Sequence, residues 1–153
     1  MVGLPNKELA NRYETLYSLG EGGMGQVWAA RDRLFERTVA LKVLHPERRP
    51  EDGRLREEFA LLASLDHPGV VRVHDVGMAG EELYLTADLL EGQRLDSFLS
   101  QSPPEEHVVG VLRDILTTLA WLHGEGVVHS DLKPPNILIL SRQGRPWPVL
   151  IDF

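Results

Sequence analysis

The chain contains no cysteine among its 153 residues, which excludes a disulfide framework, a thiolate metal site and a cysteine nucleophile. It has no long uncharged apolar run and no basic-then-apolar segment after Met1, so the sequence predicts neither a transmembrane helix nor a secretory signal. Basic side chains are outnumbered 16 to 23 by acidic ones, whereas non-specific nucleic-acid binding needs a basic face. We therefore expect a cytoplasmic protein with no nucleic-acid partner and no membrane segment in this chain.

The remaining composition is that of an ordinary globular protein, with 42 % hydrophobic and 25 % charged residues. Before residue 90, runs rich in β-branched and aromatic side chains alternate with turn residues, which is typical of strands. One helix is expected over 51–65, because Leu55, Phe59 and Leu62 recur at helical spacing. The sequence thus predicts a five-stranded antiparallel sheet with one helix, the strands lying at 13–19, 26–30, 38–44, 70–73 and 82–87 with a turn at 77–80 between the last two.

The pattern changes to helix after Gly92, so we place a boundary between two regions near residues 88–93. Residues 102–105, Ser-Pro-Pro-Glu, predict a capping box with proline in the first helical position, and Gly124 predicts the helix end. Two short strands, 137–140 and 149–151, are expected next, with a loop containing glycine and proline between them. The predicted helix, 105–123, carries an apolar stripe of Val108, Val111, Leu112, Ile115, Leu119 and Leu122.

A run dense in glycine lies between the first two predicted strands, where Gly20, Gly22 and Gly25 form a G-x-G-x-x-G pattern. Glycines leave backbone N–H groups open to phosphate oxygens, which side chains would block. The strand that follows excludes a Rossmann fingerprint, and a Walker loop would end in Lys-Ser/Thr. A lone pattern of this kind fits a phosphate cradle and a plain flexible hairpin tip equally well, so both interpretations stay open here.

Two further segments carry charged side chains in an apolar setting. Lys42 shares a strand face with the small Ala40 and could hold phosphates beneath the glycine hairpin, with Glu58 or its neighbour Glu57 as an acidic partner. A lysine pointing to water is the plain alternative. Residues 129–136, His-Ser-Asp-Leu-Lys-Pro-Pro-Asn, form a polar loop between apolar runs, and polar groups held against a core favour a chemical task over a surface loop.

That loop carries a complete set of groups for phosphoryl transfer. Asp131 could accept a hydroxyl proton and Lys133 could neutralise a phosphoryl group. Asn136 and Asp152 offer the hard oxygen ligands that Mg²⁺ prefers.

Taken in order, residues 20–27, the Val-Ala-Leu-Lys run at 39–42, residues 129–136 and Asp152-Phe153 closely resemble the signature set of eukaryotic-like (Hanks-type) protein kinases, in the form of the bacterial serine/threonine branch. The resemblance covers Tyr13 to Phe153. It implies an α+β kinase-like fold with a lead-in at 1–12, an N-lobe at 13–90 that contains the sheet and helix C, and an incomplete, mainly helical C-lobe at 91–153.

The resemblance also implies roles for individual residues. Lys42, paired with Glu58, would bind the α and β phosphates of ATP, and backbone groups of Asp88 and Leu90 would read the adenine edge. Asp131 would be the catalytic base, Lys133 the γ-phosphate contact, and Asn136 and Asp152 the Mg²⁺ ligands. The ATP phosphates and adenine would be enclosed by Leu19, Gly20, Glu21, Gly22, Gly23, Met24, Gly25, Val27, Ala40 and Leu138, and an apolar column of Leu62, Val73, His129 and Phe153 would couple the two lobes.

The chain departs from the family pattern at three points. Ser130 replaces an arginine that pairs with a phosphorylated activation loop, so activity should not depend on that phosphorylation. Ala87 precedes the segment that the resemblance identifies as the hinge, residues 88–90. A larger side chain is usual at this position, so Ala87 should leave room for bulky ATP analogues. The chain stops at Asp152-Phe153, before the usual glycine, so we expect the front half of a kinase domain whose bare 105–123 stripe could drive self-association.

Two functions remain open at this point. The first is transfer of the ATP γ-phosphoryl to Ser or Thr hydroxyls of protein substrates. The second is a nucleotide-binding or docking fragment, or a pseudokinase, without transferase activity, since the substrate-binding part of the C-lobe is missing. A metal-binding protein is rejected, because the six histidines lack ligand spacing.

Overall fold

The computed structural model describes residues 7–22, 25–44 and 60–152. The chain divides into two compact units, the first made of residues 1–65 and 72–89 and the second of residues 66–71 and 90–153. No helix within these described stretches is long and apolar enough to cross a membrane.

The first unit is built on a five-stranded sheet in which every neighbouring pair is antiparallel, as the sequence predicts. The strand order is β1-β2-β3-β5-β4. Residues 60–64 are helical and confirm the end of the predicted helix, whereas its residues 51–59, with Glu57 and Glu58, lie outside the described part of the chain. The elements are α1 (Lys7–Arg12), β1 (Tyr13–Gly22), β2 (Gly25–Asp32), β3 (Arg37–Leu44), β4 (Val73–Ala79) and β5 (Glu82–Asp88).

Strand β3 separates the two faces of this sheet. Val39 and Leu41 are fully buried in the core, while Ala40 and Lys42 on the other face are half-buried, which confirms the predicted alternation. The core face is completed by apolar residues of α1 and all five strands: Leu9, Tyr13, Trp28, Ala30, Val43, Ala79 and the half-buried Tyr84.

Two sequence expectations in this unit are wrong. The fourth strand begins at Val73 instead of residue 70, because residues 66–71 belong to the second unit, where Val70 forms an isolated parallel bridge with Leu150 and the Val71 N–H donates to the Leu150 carbonyl. Gly77 lies inside β4, and the turn is Gly80 and Glu81, since Ala79 pairs with Glu82. The lead-in contains α1, which the sequence did not reveal.

The second unit contains a three-stranded sheet of order β6-β7-β8 and two helices. Its hairpin turns through Gln143 (φ 51°) and Gly144 (φ 79°), the left-handed pair of a two-residue type I′ turn. The predicted loop between these strands is therefore wrong; the strands continue through Pro146 and Pro148, which the edge strand tolerates. The elements are β6 (Gln93–Arg94), α2 (Leu95–Ser100), α3 (Glu105–Gly124), the 3₁₀ turn Pro134–Asn136, β7 (Ile137–Arg142) and β8 (Arg145–Leu150).

The bounds of α3 confirm the predicted helix, 105–123, to within one residue, but both of its predicted caps differ. The helix begins at Glu105 with Pro104 as N-cap and no side-chain cap, because a proline pushes the residue before it out of the helical region. The capping box is therefore wrong. At the other end, Gly126 (φ 76°) takes the left-handed position predicted for Gly124, and its N–H donates to the His123 carbonyl while that of Val127 donates to Leu122.

The apolar stripe of α3 is mostly covered within the second unit. Val111, Ile115 and Leu122 are buried, joined by Thr118, because this face of the helix packs on β8. The expectation of six bare apolar residues is therefore wrong. The exposed apolar side chains of α3 are Val109, Leu112 and Leu116, and self-association through the helix stays a prediction.

Residues 66–71 are held in the second unit by contacts at three consecutive positions, 67, 68 and 69. His67 stacks on Trp121 with ring centroids 4.7 Å apart, and burial lowers the pKa of His67, whose Nδ1 accepts the Gly69 N–H. Trp147 Nε1 donates to the Pro68 carbonyl at 2.9 Å. A Cβ at Gly69 would lie 2.2 Å from Thr118 Oγ1, so this close approach requires glycine.

Arg12 ties α1 to the sheet of the first unit. Its guanidinium donates to both carboxylate oxygens of Asp32, at 3.2 and 3.0 Å, and to Asp75 on β4. Asp32 is fully buried, and burial alone would raise its pKa. The hydrogen bonds from Arg12 and from the Leu34 N–H outweigh burial and hold the Asp32 pKa below its ordinary value.

We expect Asp32→Asn to lower the free energy of unfolding by about 3 kcal/mol at neutral pH, the low end for breaking a buried pair, because Arg12 is partly exposed. The folded pKa of Asp32 lies below the unfolded value of about 3.9, so its contribution is fully present above that pH and is lost as the pH falls through the folded value. Urea unfolding at pH 7 and pH 3, with the exposed Asp96→Asn as control, measures both effects. An equal difference between wild type and Asp32→Asn at the two pH values would contradict this account.

Candidate functional site

The glycine-rich segment forms the hairpin between β1 and β2. Gly20 pairs with Val27, Glu21 with Gln26 and Gly22 with Gly25, while Gly23 and Met24 lie outside the described residues. A Cβ at Gly25 (φ 149°) would lie 2.1 Å from the Val43 carbonyl oxygen, so packing against β3 requires this glycine. A Cβ at Gly20 or Gly22 would meet no atom within 4 Å, so packing against the described residues does not explain those two glycines.

One face of the first unit's sheet collects the candidate nucleotide residues. Val27 on β2 is the register partner of Lys42 on β3, so their side chains share a face. Ala40 lies on the same face two residues before Lys42 and pairs with Ala87 on β5. This nucleotide face, defined by Val27, Ala40, Lys42 and Ala87, is opposite the core face that contains Leu41. Leu19, at the start of the glycine hairpin, is exposed on β1.

The predicted hinge residues fall in different units. Asp88 ends β5, and its backbone N–H donates to the Arg72 carbonyl at 3.0 Å. Its carboxylate accepts a hydrogen bond from His74, a partner that sequence reasoning missed because the two residues lie on different strands. Leu90 and Leu138 belong to the second unit and are half-buried, Leu138 pairing with Val149 on β8.

The polar loop of the second unit brings three predicted site residues together. Lys133 Nζ lies 2.7 Å from Asp131 Oδ2. The buried Asn136 donates from Nδ2 to the Asp131 carbonyl at 2.9 Å and to the Asp131 carboxylate at 3.0 Å. The hydrogen bond from Lys133 lowers the pKa of Asp131; desolvation opposes it, and the charge of Lys133 and the hydrogen bond from Asn136 assist it. Asp131 is thus held as a carboxylate within reach of an ammonium group.

Asp152 is connected to the same loop through its neighbour Ile151. The Ile151 N–H donates to the Asn136 carbonyl at 3.0 Å, and the Ile151 carbonyl accepts from Nε2 of the buried His129 at 2.9 Å. Asp152 itself adopts a left-handed φ of 57°. Carboxylate and amide oxygens are the donors that Mg²⁺ prefers, so Asp152 and Asn136 fit such an ion by their chemistry.

The predicted apolar column is not tested by these contacts. Leu62 and Val73 belong to the first unit and His129 to the second, while Phe153 lies outside the described residues. The structure gives His129 a different role in the same loop, because its imidazole holds the backbone before Asp152.

Comparison with known proteins identifies the fold. Residues 13–153 match the family described as the protein kinase domain. The chain belongs to the protein kinase family. The kinase-like α+β fold class expected from the sequence is therefore confirmed.

Among relatives, the chain is 35 % identical over 149 residues to serine/threonine-protein kinase pkn2 of Myxococcus xanthus, an alignment that covers 95 % of this chain and 18 % of that protein. It is 42 % identical over 160 residues to the DNA damage-responsive serine/threonine-protein kinase RqkA of Deinococcus radiodurans, covering 97 % and 23 %. It is 32 % identical over 141 residues to serine/threonine-protein kinase PrkC of Bacillus subtilis, covering 89 % and 22 %. The resemblance to bacterial serine/threonine kinases is confirmed, and the chain spans less than a quarter of each of these relatives.

We expect Lys133→Met to raise the pKa of Asp131 toward its ordinary value, because the Lys133 hydrogen bond is the main cause of the lowered pKa. An NMR titration of the Asp131 side-chain carboxyl carbon measures the shift. Lys133→Arg keeps a cationic donor and should leave the pKa lowered, so it serves as the matched control. An unchanged Asp131 pKa in Lys133→Met would show that another group sets it.

Proposed function

We propose that this chain carries the ATP-binding and catalytic-loop residues of a serine/threonine protein kinase that transfers the γ-phosphoryl of ATP to Ser or Thr hydroxyls of protein substrates. The observation that carries the proposal is the second unit's cluster, in which Asn136 holds Asp131 and, through Ile151, the backbone beside Asp152. Residues 13–90 act as the N-lobe and residues 91–153 as the part of the C-lobe that this sequence contains.

Binding of ATP by the first unit rests on the nucleotide face and the glycine hairpin. Lys42 binds the α and β phosphates, with Glu58 as its acidic partner. The glycine hairpin covers the phosphates, and the open space above Gly20 and Gly22 allows close approach of its backbone N–H groups. Val27 and Ala40 contact adenine. Because the Asp88 N–H is already donated to Arg72, the adenine edge is read by the Asp88 carbonyl, together with Leu90.

The second unit supplies the groups for transfer. The substrate hydroxyl oxygen attacks the γ-phosphorus, and the bond from this phosphorus to the β–γ bridging oxygen breaks, so that ADP leaves. The hydroxyl proton passes to Asp131. Lys133 has three N–H donors, so it can hold Asp131 and also contact the γ-phosphate. Asn136 and Asp152 are the residues that would hold Mg²⁺, which when bound neutralises phosphate charge.

Orientation of the base follows from the same hydrogen bonds. The Asn136 side-chain amide donates to both the backbone carbonyl and the carboxylate of Asp131, which fixes the carboxylate relative to the backbone. The lowered pKa keeps Asp131 ionised near neutral pH. A carboxylate with a lowered pKa is a weak base. This suits a loose transition state, in which the hydroxyl group loses its proton late.

Calorimetric titration of the chain with ATP, with and without Mg²⁺, tests this function. We expect saturable binding that requires Mg²⁺ and weakens about tenfold or more in Lys42→Met and Asp152→Asn, because each variant removes a charge-assisted contact.

Arg33→Met and Asp96→Asn each remove one exposed charge, one in each unit. Both variants serve as matched controls and should bind ATP like the wild type. A folded wild-type chain that binds no ATP would contradict the proposal and favour a docking or pseudokinase role. Circular dichroism of every variant establishes that the chain is folded.

A further inference from the structure

The edge strand of the first unit contains an irregularity beside the hinge. The pairing of β4 with β5 passes from Val73–Ala87 directly to Asp75–Thr86, so β4 has one more residue than its partner at His74. Such a bulge turns a side chain away from the regular alternation. Here the His74 imidazole is turned inward and is only 12 % exposed, although β4 is an edge strand.

His74 joins two charged groups, one on its neighbour β5 and one on β3, the next strand beyond β5 in the sheet. Arg37 Nη1, on β3, lies 3.1 Å from His74 Nδ1, and His74 Nε2 lies 2.7 Å from Asp88 Oδ1. A guanidinium can only donate, so Nδ1 accepts and the ring proton resides on Nε2, which donates to the carboxylate. Arg37 therefore selects the neutral tautomer of His74 that can hold Asp88.

The carboxylate of Asp88 lies away from the nucleotide face. Asp88 is the register partner of the fully buried Val39, and Arg37 lies two residues before Val39 on the same side of β3. Ala40 and Lys42 are on the opposite side. Arg37 and His74 thus belong to the core side of the sheet, and an effect on a nucleotide must pass through Asp88.

Asp88 is fixed at two of its three polar groups. Its N–H donates to the Arg72 carbonyl and its carboxylate accepts from His74, so the residue is anchored through both its backbone and its side chain, and the carbonyl is its third polar group. Asp88 ends β5, where the regular ladder stops supplying backbone partners. The hydrogen bond from His74 to the Asp88 carboxylate restrains this residue where pairing of β5 with its neighbouring strands ends.

We propose that His74, oriented by Arg37, is a positioning residue that aims the Asp88 carbonyl at adenine and so sets the affinity of the chain for the base of ATP. The inference rests on the proposed function, because it assumes that Asp88 reads the adenine edge. The phosphate end of the nucleotide site lies on the other face of the sheet, since Lys42 points to the side of β3 opposite Arg37 and Val39.

The test separates the two ends of the nucleotide. Affinities of the full chain for adenosine, for inorganic tripolyphosphate and for ATP are measured by calorimetry in wild type, His74→Leu and His74→Gln. We expect His74→Leu to weaken adenosine and ATP about tenfold while tripolyphosphate stays within about twofold of wild type. His74→Gln offers one acceptor and one donor, as the neutral imidazole does, and should restore adenosine affinity to within about threefold.

A merely structural role gives a different pattern. If His74→Leu weakens adenosine and tripolyphosphate alike, or neither of them, while the wild type binds ATP, the positioning role is overturned and the proposed function stands. If the folded wild type binds neither adenosine nor ATP, the proposed function and this inference are both overturned.

A measurement on the wild-type chain keeps the inference testable should His74→Leu not fold. The ¹⁵N NMR signals of the His74 ring should show a proton on Nε2 and should shift on addition of adenosine but not of tripolyphosphate. A ring protonated on Nδ1, or signals indifferent to adenosine, would overturn the positioning role.

Discussion

The candidate catalytic loop depends on the hydrogen bonds that the side-chain amide of Asn136 donates to Asp131. One buried Nδ2 group holds both the backbone and the carboxylate of Asp131, and the carbonyl of the same residue accepts the Ile151 N–H. A buried amide with unfilled bonds is costly, so these partners reinforce one another. The proposed base and the backbone beside a proposed metal ligand are thus held by one residue, and Lys133 adds a positive charge next to Asp131.

The parts of the fold that the sequence predicted are those encoded over short distances. The alternation of β3 is visible in eight consecutive residues, and the polar loop at 129–136 presents its groups within one short segment. The errors came where distant residues decide. The composition around Val70 predicts a strand of the five-stranded sheet, but its backbone bridges to Leu150, eighty residues away. The predicted capping box of α3 is wrong for a local reason. Two prolines follow Ser102 and keep it and Pro103 out of the helical conformation, so Ser102 does not cap the helix.

In the candidate site, too, residues within one short motif are predictable from the sequence and partners on different strands are not. Motif spacing identified Asp131, Lys133 and Asn136, and the structure brings these three together. It could not identify His74 as a partner of Asp88, because a bulge becomes visible only when both strands are in register. Likewise, the glycines of the hairpin look equivalent in the sequence, yet Gly25 is required by the approach to β3 while Gly20 and Gly22 are not.

Residues 66–71 give the chain an interleaved connectivity. The backbone passes from one unit to the other three times, after residues 65, 71 and 89, so neither unit is a single continuous stretch. A fragment that begins after residue 89 would keep Trp121 and Trp147 but lose their partners. Trp121 would lack the stacked ring of His67, and the Trp147 N–H would lack the Pro68 carbonyl. The two units therefore cannot be produced separately by simple truncation, and a permuted chain that supplies residues 66–71 in cis would be needed to obtain the second unit with its native neighbours.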